Sequence, residues 1–305
     1  MEEAVMRSQI DQPNLLIFLH IPKNAGTTLV HVIRRQYPKQ TVFWFSYDRP
    51  ELISEFEAMD EKERGELLCL GGHIPFGIHE EFKDIPATYI TMLRDPVARF
   101  ISEYGQLRRV SRSGSWKPPQ ERLKSLGDYL DYRIETNAMD VQTGFISGYL
   151  PPPGTQPPFE PLPEDALVRA KDNLRKHFLV TGITQRFDES LLLMKRRLDW
   201  KSHIFYARQN TAPQVASYSD IPTELLERII EHTRIDSELV CFAEGLLDEA
   251  IAAEGDAFQE ELGKLHRVNH TLFTLSNTWK RVIPPKFRNA PGIRHVRALG
   301  YKLLR

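Results

Sequence analysis

Between Leu15 and Thr28 the chain runs through Leu-Leu-Ile-Phe-Leu-His-Ile, then Pro-Lys-Asn-Ala-Gly, then Thr-Thr and an apolar-periodic stretch. A run this short and almost wholly apolar over Leu15–Ile21 fits a strand buried on both faces. Pro22 to Gly26 breaks it, and a helix is expected from about Thr27. Strand, tight loop and helix in that order make a βα unit, and a doubly buried strand within one implies a parallel sheet covered by helices.

The alternation continues. Thr41–Ser46 reads as a strand, Pro50–Met59 as a helix, Glu66–Leu70 as a strand ending at Gly71-Gly72, and Ala87–Leu93 as another strand. Asp95 before Pro96 is a helix start, and Val97, Phe100, Ile101, Tyr104 and Leu107 follow at helical spacing. Leu123–Glu135 reads as helix, Phe178–Thr184 as strand, Asp188–Arg197 as helix, and Thr223–Glu254 as strongly helical. Ser111–Gln120 and Pro151–Pro163, the latter with seven prolines in thirteen residues, read as surface loops. The expected fold is α/β, with a central, mostly parallel sheet, a P-loop-like loop after the first strand and flanking helices.

Composition narrows the class. With 305 residues, 41% hydrophobic and 27% charged, the chain can bury a sizeable core, which excludes collagen-like and wholly disordered readings. No apolar run is long enough to span a bilayer, and Met1 to Asn14 lacks the pattern of a secretory signal, so a cytoplasmic location without a transmembrane segment is expected. Cys69 and Cys241 are too few for a disulfide framework or a zinc cage and are expected to be buried small hydrophobes; no metal site is expected.

The net charge of −1 argues against a general nucleic-acid binder. It hides an asymmetry. No acidic residue follows Glu261, and ten Lys and Arg from Lys264 to Arg305 make that end strongly basic while the rest of the chain is acidic. The expected division is an N-terminal tail over 1–13, an α/β domain over 14–261 and a basic arm over 262–305. That arm is a candidate for polyanion or membrane-surface contact; a solvated arm packing Leu272, Phe273, Leu275 and Trp279 on the body is the other reading.

The string His20-Ile21-Pro22-Lys23-Asn24-Ala25-Gly26-Thr27-Thr28 joins strand to helix, where free backbone N–H groups and the positive helix end converge on an anion. Lys23 supplies a point charge, Gly26 permits close approach, and Thr27 and Thr28 supply hydroxyls. The lysine precedes the glycine, unlike the Gly-Lys-Ser/Thr order of a nucleoside-triphosphatase loop. Gly-Thr-Thr alone also fits an ordinary capped turn; the nine-residue string is more specific. Arg94 leaves the carboxyl end of a strand, where ligands of open α/β sheets bind, and its fork suits a phosphate, although an arginine beside Asp95 also fits a local ion pair. Ser102 lies off the apolar stripe of its helix. His73 follows Gly71-Gly72; an imidazole is suited to removing a hydroxyl proton near neutral pH, and a satisfied structural role is the other reading. His20 and His79 are weaker candidates.

Together these segments resemble the PAPS-dependent carbohydrate O-sulfotransferases, over about residues 14–250. His20 to Thr28 is similar to that family's 5′-phosphosulfate loop, Leu93 to Tyr104 to its 3′-phosphate motif, and Gly72-His73-Ile74-Pro75-Phe76-Gly77 to the segment that carries its catalytic histidine. Asn137 with Gln142-Thr143, Val180 to Thr184 and Asp188 to Leu192 continue the likeness. The resemblance implies sulfuryl transfer from PAPS, 3′-phosphoadenosine 5′-phosphosulfate, to an acceptor hydroxyl of a carbohydrate, with PAP as product and no metal. It implies His73 as base and Lys23 on the leaving phosphate. It also implies Lys23, Asn24, Ala25, Gly26, Thr27 and Thr28 around the 5′ group, and Arg94 with Ser102 at the 3′-phosphate. Arg208, in Arg208-Gln209-Asn210-Thr211, resembles a nucleotide-proximal region. Gly71 stands where some relatives have a second histidine, and Gly144 where many have arginine. A nucleotide-dependent kinase using the same loop and a non-catalytic polyanion-binding protein are the alternatives.

Overall fold

The computed structural model describes residues 15–46, 49, 51–82, 85–109, 118–150, 155, 157–206 and 220–282. Strands β1 (Leu15–Leu19), β2 (Val42–Phe45), β3 (Cys69–Gly72), β4 (Ala87–Leu93) and β5 (Phe178–Ile183) form one sheet in the order β2-β3-β1-β4-β5, every pairing parallel. Chain order reverses at β1, because β2 and β3 lie to one side and β4 to the other. That reversal opens a crevice beyond the carboxyl ends of the strands. Leu19 pairs with both Gly72 and Thr91, so β3, β1 and β4 finish side by side. All five residues of β1 are buried, which is why an unbroken apolar run is tolerated there.

Strand β3 carries its ladder through Gly71 and Gly72, two residues past the expected turn. The glycines serve the sheet. A Cβ on Gly71 would lie 2.1 Å from the Trp44 ring, and one on Gly72 would lie 2.2 Å from the Phe45 carbonyl oxygen. Gly72 also holds φ at +135°, closed to side-chain-bearing residues.

Helix α1 (Gly26–Ile33) follows β1, and α2 (Glu51–Glu57) follows β2. A short α3 (Glu61–Gly65) then starts on a capping box, with Asp60 accepting from the Glu63 N–H and Glu63 returning to Asp60. After β4 comes α4 (Pro96–Arg109), whose Ala98 N–H donates to Asp95 Oδ1 at 2.7 Å, the cap read from the sequence. Helix α5 (Leu126–Glu135) follows, and a second core forms there: Phe100 and Tyr104 of α4 stack on Tyr129 of α5, with Leu130 and Ile229 beside them. Helices α6 (Val141–Ser147) and α7 (Ala166–His177) precede β5, and α8 (Phe187–Arg197) follows it.

The long stretch from Thr223 is two helices, α9 (Thr223–His232) and α10 (Arg234–Ala252). The break is at Thr233, whose hydroxyl donates back to the Ile229 carbonyl at 2.8 Å. Cys69 is buried in β3, but Cys241 is exposed, against expectation. The inward stripe of α10 is Asp236, Leu239, Val240, Ala243 and Leu247, and Cys241 falls off it. Helix α11 (Asp256–Val282) runs unbroken through Glu261. Its Leu262 and Leu265 join the main core, Leu272 is buried, and Phe273 is exposed. Glu261 accepts from Lys195 and Arg196 of α8. The side chains of Leu275 and Trp279, and the whole of 1–13 and 283–305, lie outside the described residues, as do Arg208 and the 111–117 and 151–154 parts of the two expected loops. Among the described residues no helix is long and apolar enough to cross a membrane.

Gly72→Ala is expected to lower the unfolding free energy by on the order of 2 kcal/mol or more, from the forbidden φ and the Phe45 collision together. Denaturant unfolding at constant slope checks this, and a loss under 0.5 kcal/mol would refute it.

Candidate active site

Three chain segments meet at the carboxyl edge: the loop after β1, His73 after β3, and Arg94 after β4. The loop has an unusual backbone. Lys23 at φ 73° and Ala25 at φ 58° are left-handed without being glycine, a conformation that turns successive N–H groups to one side. Each costs about 1–2 kcal/mol. Three hydrogen bonds, at about 1 kcal/mol each, offset most of that cost: Asn24 Nδ2 donates to the Met92 carbonyl and to Gln142 Oε1, both at 2.8 Å, and Arg94 Nη1 donates to the Lys23 carbonyl at 2.8 Å. Asn24 is fully buried, so its side chain fastens the loop from beneath rather than facing solvent. Thr27 is exposed and Thr28 half-buried on the first turn of α1.

Gly26 makes room for His20. A Cβ there would fall 1.7 Å from His20 Nε2, so the imidazole lies directly over the start of α1. His20 stacks between Phe18 (5.3 Å) and His73 (4.4 Å). Burial, then the neighbouring His73 and Lys23, push its pKa well below the ordinary imidazole value, so it is neutral. His73 Nδ1 lies 2.8 Å from the His20 carbonyl oxygen. A carbonyl only accepts, so Nδ1 carries the proton and Nε2 is the basic nitrogen. The space beside Gly71, where the resemblance sets a second histidine, is filled by Trp44; beside Gly144 it is filled by Leu150. His79 bonds the Tyr89 hydroxyl at 2.9 Å and faces His177, and Tyr89 lies five positions before Arg94 along β4, away from this edge.

Lys23 reaches Gln106 of α4, one turn beyond Ser102 on the same helix face. Burial and then the charges of Arg94, Arg109 and Arg99 push the lysine pKa down, with Glu103 opposing. Cations gathered this closely repel one another, and an anion between them relieves that repulsion. The edge can therefore hold phosphate or sulfate groups beside a histidine of fixed tautomer. Among the described residues no cluster of three or more ligating side chains suits a metal ion.

Comparison with known proteins gives the chain a family. The pattern of the galactose-3-O-sulfotransferase family matches residues 5–283. The chain belongs to this family. Uronyl 2-sulfotransferase of Mus musculus is 29% identical over 140 residues, covering 41% of this chain and 32% of that protein, and its Homo sapiens counterpart matches equally. A protein-tyrosine sulfotransferase of Arabidopsis thaliana is 27% identical over 103 residues, 34% of this chain and 19% of its own. The matched part spans about a third of the uronyl enzymes and less of the plant one.

Beneath the edge of this galactose-3-O-sulfotransferase family chain lies a buried charge network absent from the sequence reading. Arg133 donates to Glu103 at 2.7 Å and to the Tyr129 hydroxyl at 3.0 Å, and Arg99 reaches Glu103 at 3.4 Å. Burial alone would raise the Glu103 carboxyl, but Arg133, Arg99 and Tyr129 outweigh it and hold its pKa at about 2. Beside it, two carboxylates cap each other's helices. Asp236 of α10 accepts from the Gln142 N–H (3.1 Å), the Thr143 N–H (2.7 Å) and the Thr143 hydroxyl (2.9 Å) at the start of α6, while Asp140 accepts from the Asp236 N–H at 3.0 Å. Only the Asp-x-x pattern before a helix hints at this, and each cap lies about 95 residues from its helix, beyond any local signal.

Burial, then repulsion from Asp236, raises the Asp140 pKa to about 7. A carboxyl raised on folding stabilises the fold at low pH, and the contribution is lost as pH climbs from the unfolded value toward 7. Asp140→Asn keeps an acceptor for Asp236 but carries no charge. Its melting temperature relative to the parent is therefore expected to improve steadily between pH 5 and 8; a pH-independent difference would show that Asp140 does not titrate there.

Proposed function

We propose that this chain is a sulfotransferase that moves a sulfuryl group from PAPS to a hydroxyl of a carbohydrate acceptor. The observation that carries the reading is the Arg94 to Lys23 hydrogen bond, which joins the arginine after β4 and the loop after β1 into one cationic cleft beside His73. Two separated anionic groups on one nucleotide suit a cleft built from two such motifs. PAPS supplies the activated sulfuryl group.

The residues take these parts. Lys23 and the N–H groups of Ala25, Gly26 and Thr27, with the Thr27 and Thr28 hydroxyls, hold the 5′ group and meet the charge that develops on the leaving oxygen. The Asn24 and Thr28 N–H groups close the turn on the Ile21 and Ala25 carbonyls. Arg94 and Ser102 hold the 3′-phosphate. Arg208, outside the described residues, is a further contact to the nucleotide. His73 takes the proton of the acceptor hydroxyl at Nε2, the nitrogen left basic by the bond to the His20 carbonyl. The uronyl 2-sulfotransferases are named for a carbohydrate acceptor, which supports that acceptor class. Ten Lys and Arg with no acidic residue after Glu261 favour an anionic glycan over a neutral one.

Labelled PAPS offered with anionic glycans, phenols and tyrosine peptides is expected to label a glycan. Phosphoryl transfer from magnesium ATP, with none of sulfate from PAPS, would overturn the reading. PAP is expected to raise the melting temperature more than ATP, which lacks a 3′-phosphate; equal shifts would remove Arg94 and Ser102 from that role. His73→Ala is expected to keep PAP affinity and thermal stability but lose about 10² to 10⁴ in turnover. Near-normal turnover in the folded variant would move the base elsewhere.

A further inference from the structure

Gln142 is fully buried and uses its amide in both directions. Its Oε1 accepts from Asn24 Nδ2 at 2.8 Å and from the Arg94 N–H at 2.9 Å, while its Nε2 donates to the Arg94 carbonyl at 2.9 Å. Two donors on one side and a carbonyl on the other leave the amide a single orientation. The same side chain thus grips the main chain of Arg94 front and back and holds the asparagine that fastens the Lys23 loop. Gln142 is itself fixed from behind, because its N–H and both donors of Thr143 converge on Asp236. Asp236 is buried and makes these contacts from helix α10, more than ninety residues along the chain.

We propose that Gln142 and Asp236 are positioning residues that set Arg94 against the Lys23 loop, so that selection of a nucleotide with a 3′-phosphate depends on a carboxylate that never meets the nucleotide. The proposal rests on the reading that Arg94 holds that phosphate. Asp236 locks the first turn of α6, the locked turn presents the Gln142 amide, and the amide fixes where the guanidinium begins. A bidentate grip on phosphate tolerates little displacement of its base, whereas a loop that holds the 5′ group through several N–H donors tolerates more. Loosening the clamp should therefore cost the 3′ contact first.

The test compares two neutral, nearly isosteric variants, Gln142→Met and Asp236→Asn, with the parent chain. Binding of PAP and of adenosine 5′-monophosphate, which lacks the 3′-phosphate, is measured by calorimetry, alongside melting temperature. In both variants PAP affinity is expected to fall about tenfold while 5′-monophosphate affinity changes less than about twofold, a loss of selectivity that general loosening of the fold does not produce. Asp236→Asn retains an acceptor for Thr143 and keeps the test available if Gln142→Met does not fold. An unchanged affinity ratio in a folded variant, or an equal fall for both nucleotides, overturns the clamp. A parent that binds the two nucleotides equally overturns instead the assignment of Arg94 to the 3′-phosphate, and the clamp's role in selectivity with it.

Discussion

The Asn24 amide bonds that join the end of β1 to β4 and to Gln142 are the contacts on which the rest of the site depends. A loop with left-handed residues at Lys23 and Ala25 does not keep its shape by local preference. It keeps it because a buried side chain between them is tied to a neighbouring strand and to helix α6, so the energy for the strained backbone comes from the sheet. The all-apolar β1 matters for the same reason: it fixes the point from which the loop departs. Parallel pairing with β3 and β4 then sets His73 and Arg94 on either side of that point.

Electrostatics divide the site into two layers. In the upper layer burial and then the neighbouring Arg94 guanidinium push the Lys23 pKa down. In the lower layer one carboxylate, Glu103, is shared by Arg133, Arg99 and the Tyr129 hydroxyl. Burying such ions costs several kcal/mol each unless their hydrogen bonds are met, so the lower layer is no simple source of stability. Two Arg99 nitrogens, Nε and Nη1, have no hydrogen-bond partner among the described residues. Their charge instead opposes the raised pKa values of Asp140 and Asp236. Arg99 thus balances carboxylates that would otherwise repel across the two helix starts holding Gln142.

What could be read from the sequence follows from how far each signal reaches along the chain. The β1 loop, the Asp95 cap and the strand Ala87–Leu93 are encoded by adjacent residues, and they stand where the residue pattern sets them. Gly71-Gly72 read as a stop because glycine usually ends a strand, yet here the Trp44 ring and the Phe45 carbonyl, twenty-seven residues earlier, demand the missing side chains. The seven-residue α6 is too short to show a helical period, and its cap comes from Asp236. Cys241 read as a buried small hydrophobe, but the rotation of α10 turns it outward. Asn24 stood among the phosphate-facing residues by its place in the loop; its amide turns inward, a role visible only once Met92 and Gln142 are beside it.

Donor loop and base are also one piece of chain. His73 takes its tautomer from the His20 carbonyl, and His20 lies three residues before Lys23. The His20 ring rests on Gly26, at the other end of the same loop, and on His73 across the β1–β3 boundary. A shift of the loop by one ångström would carry the His20 carbonyl with it and disturb the Nδ1 bond that leaves Nε2 basic. Charge stabilisation and proton removal are therefore coupled through backbone geometry rather than through a hinge. A neutral, stacked His20 suits this arrangement better than a charged one, since a cation there would oppose both Lys23 and the proton arriving on His73. Burial keeps His20 neutral, and the glycine at 26 is what lets it be buried.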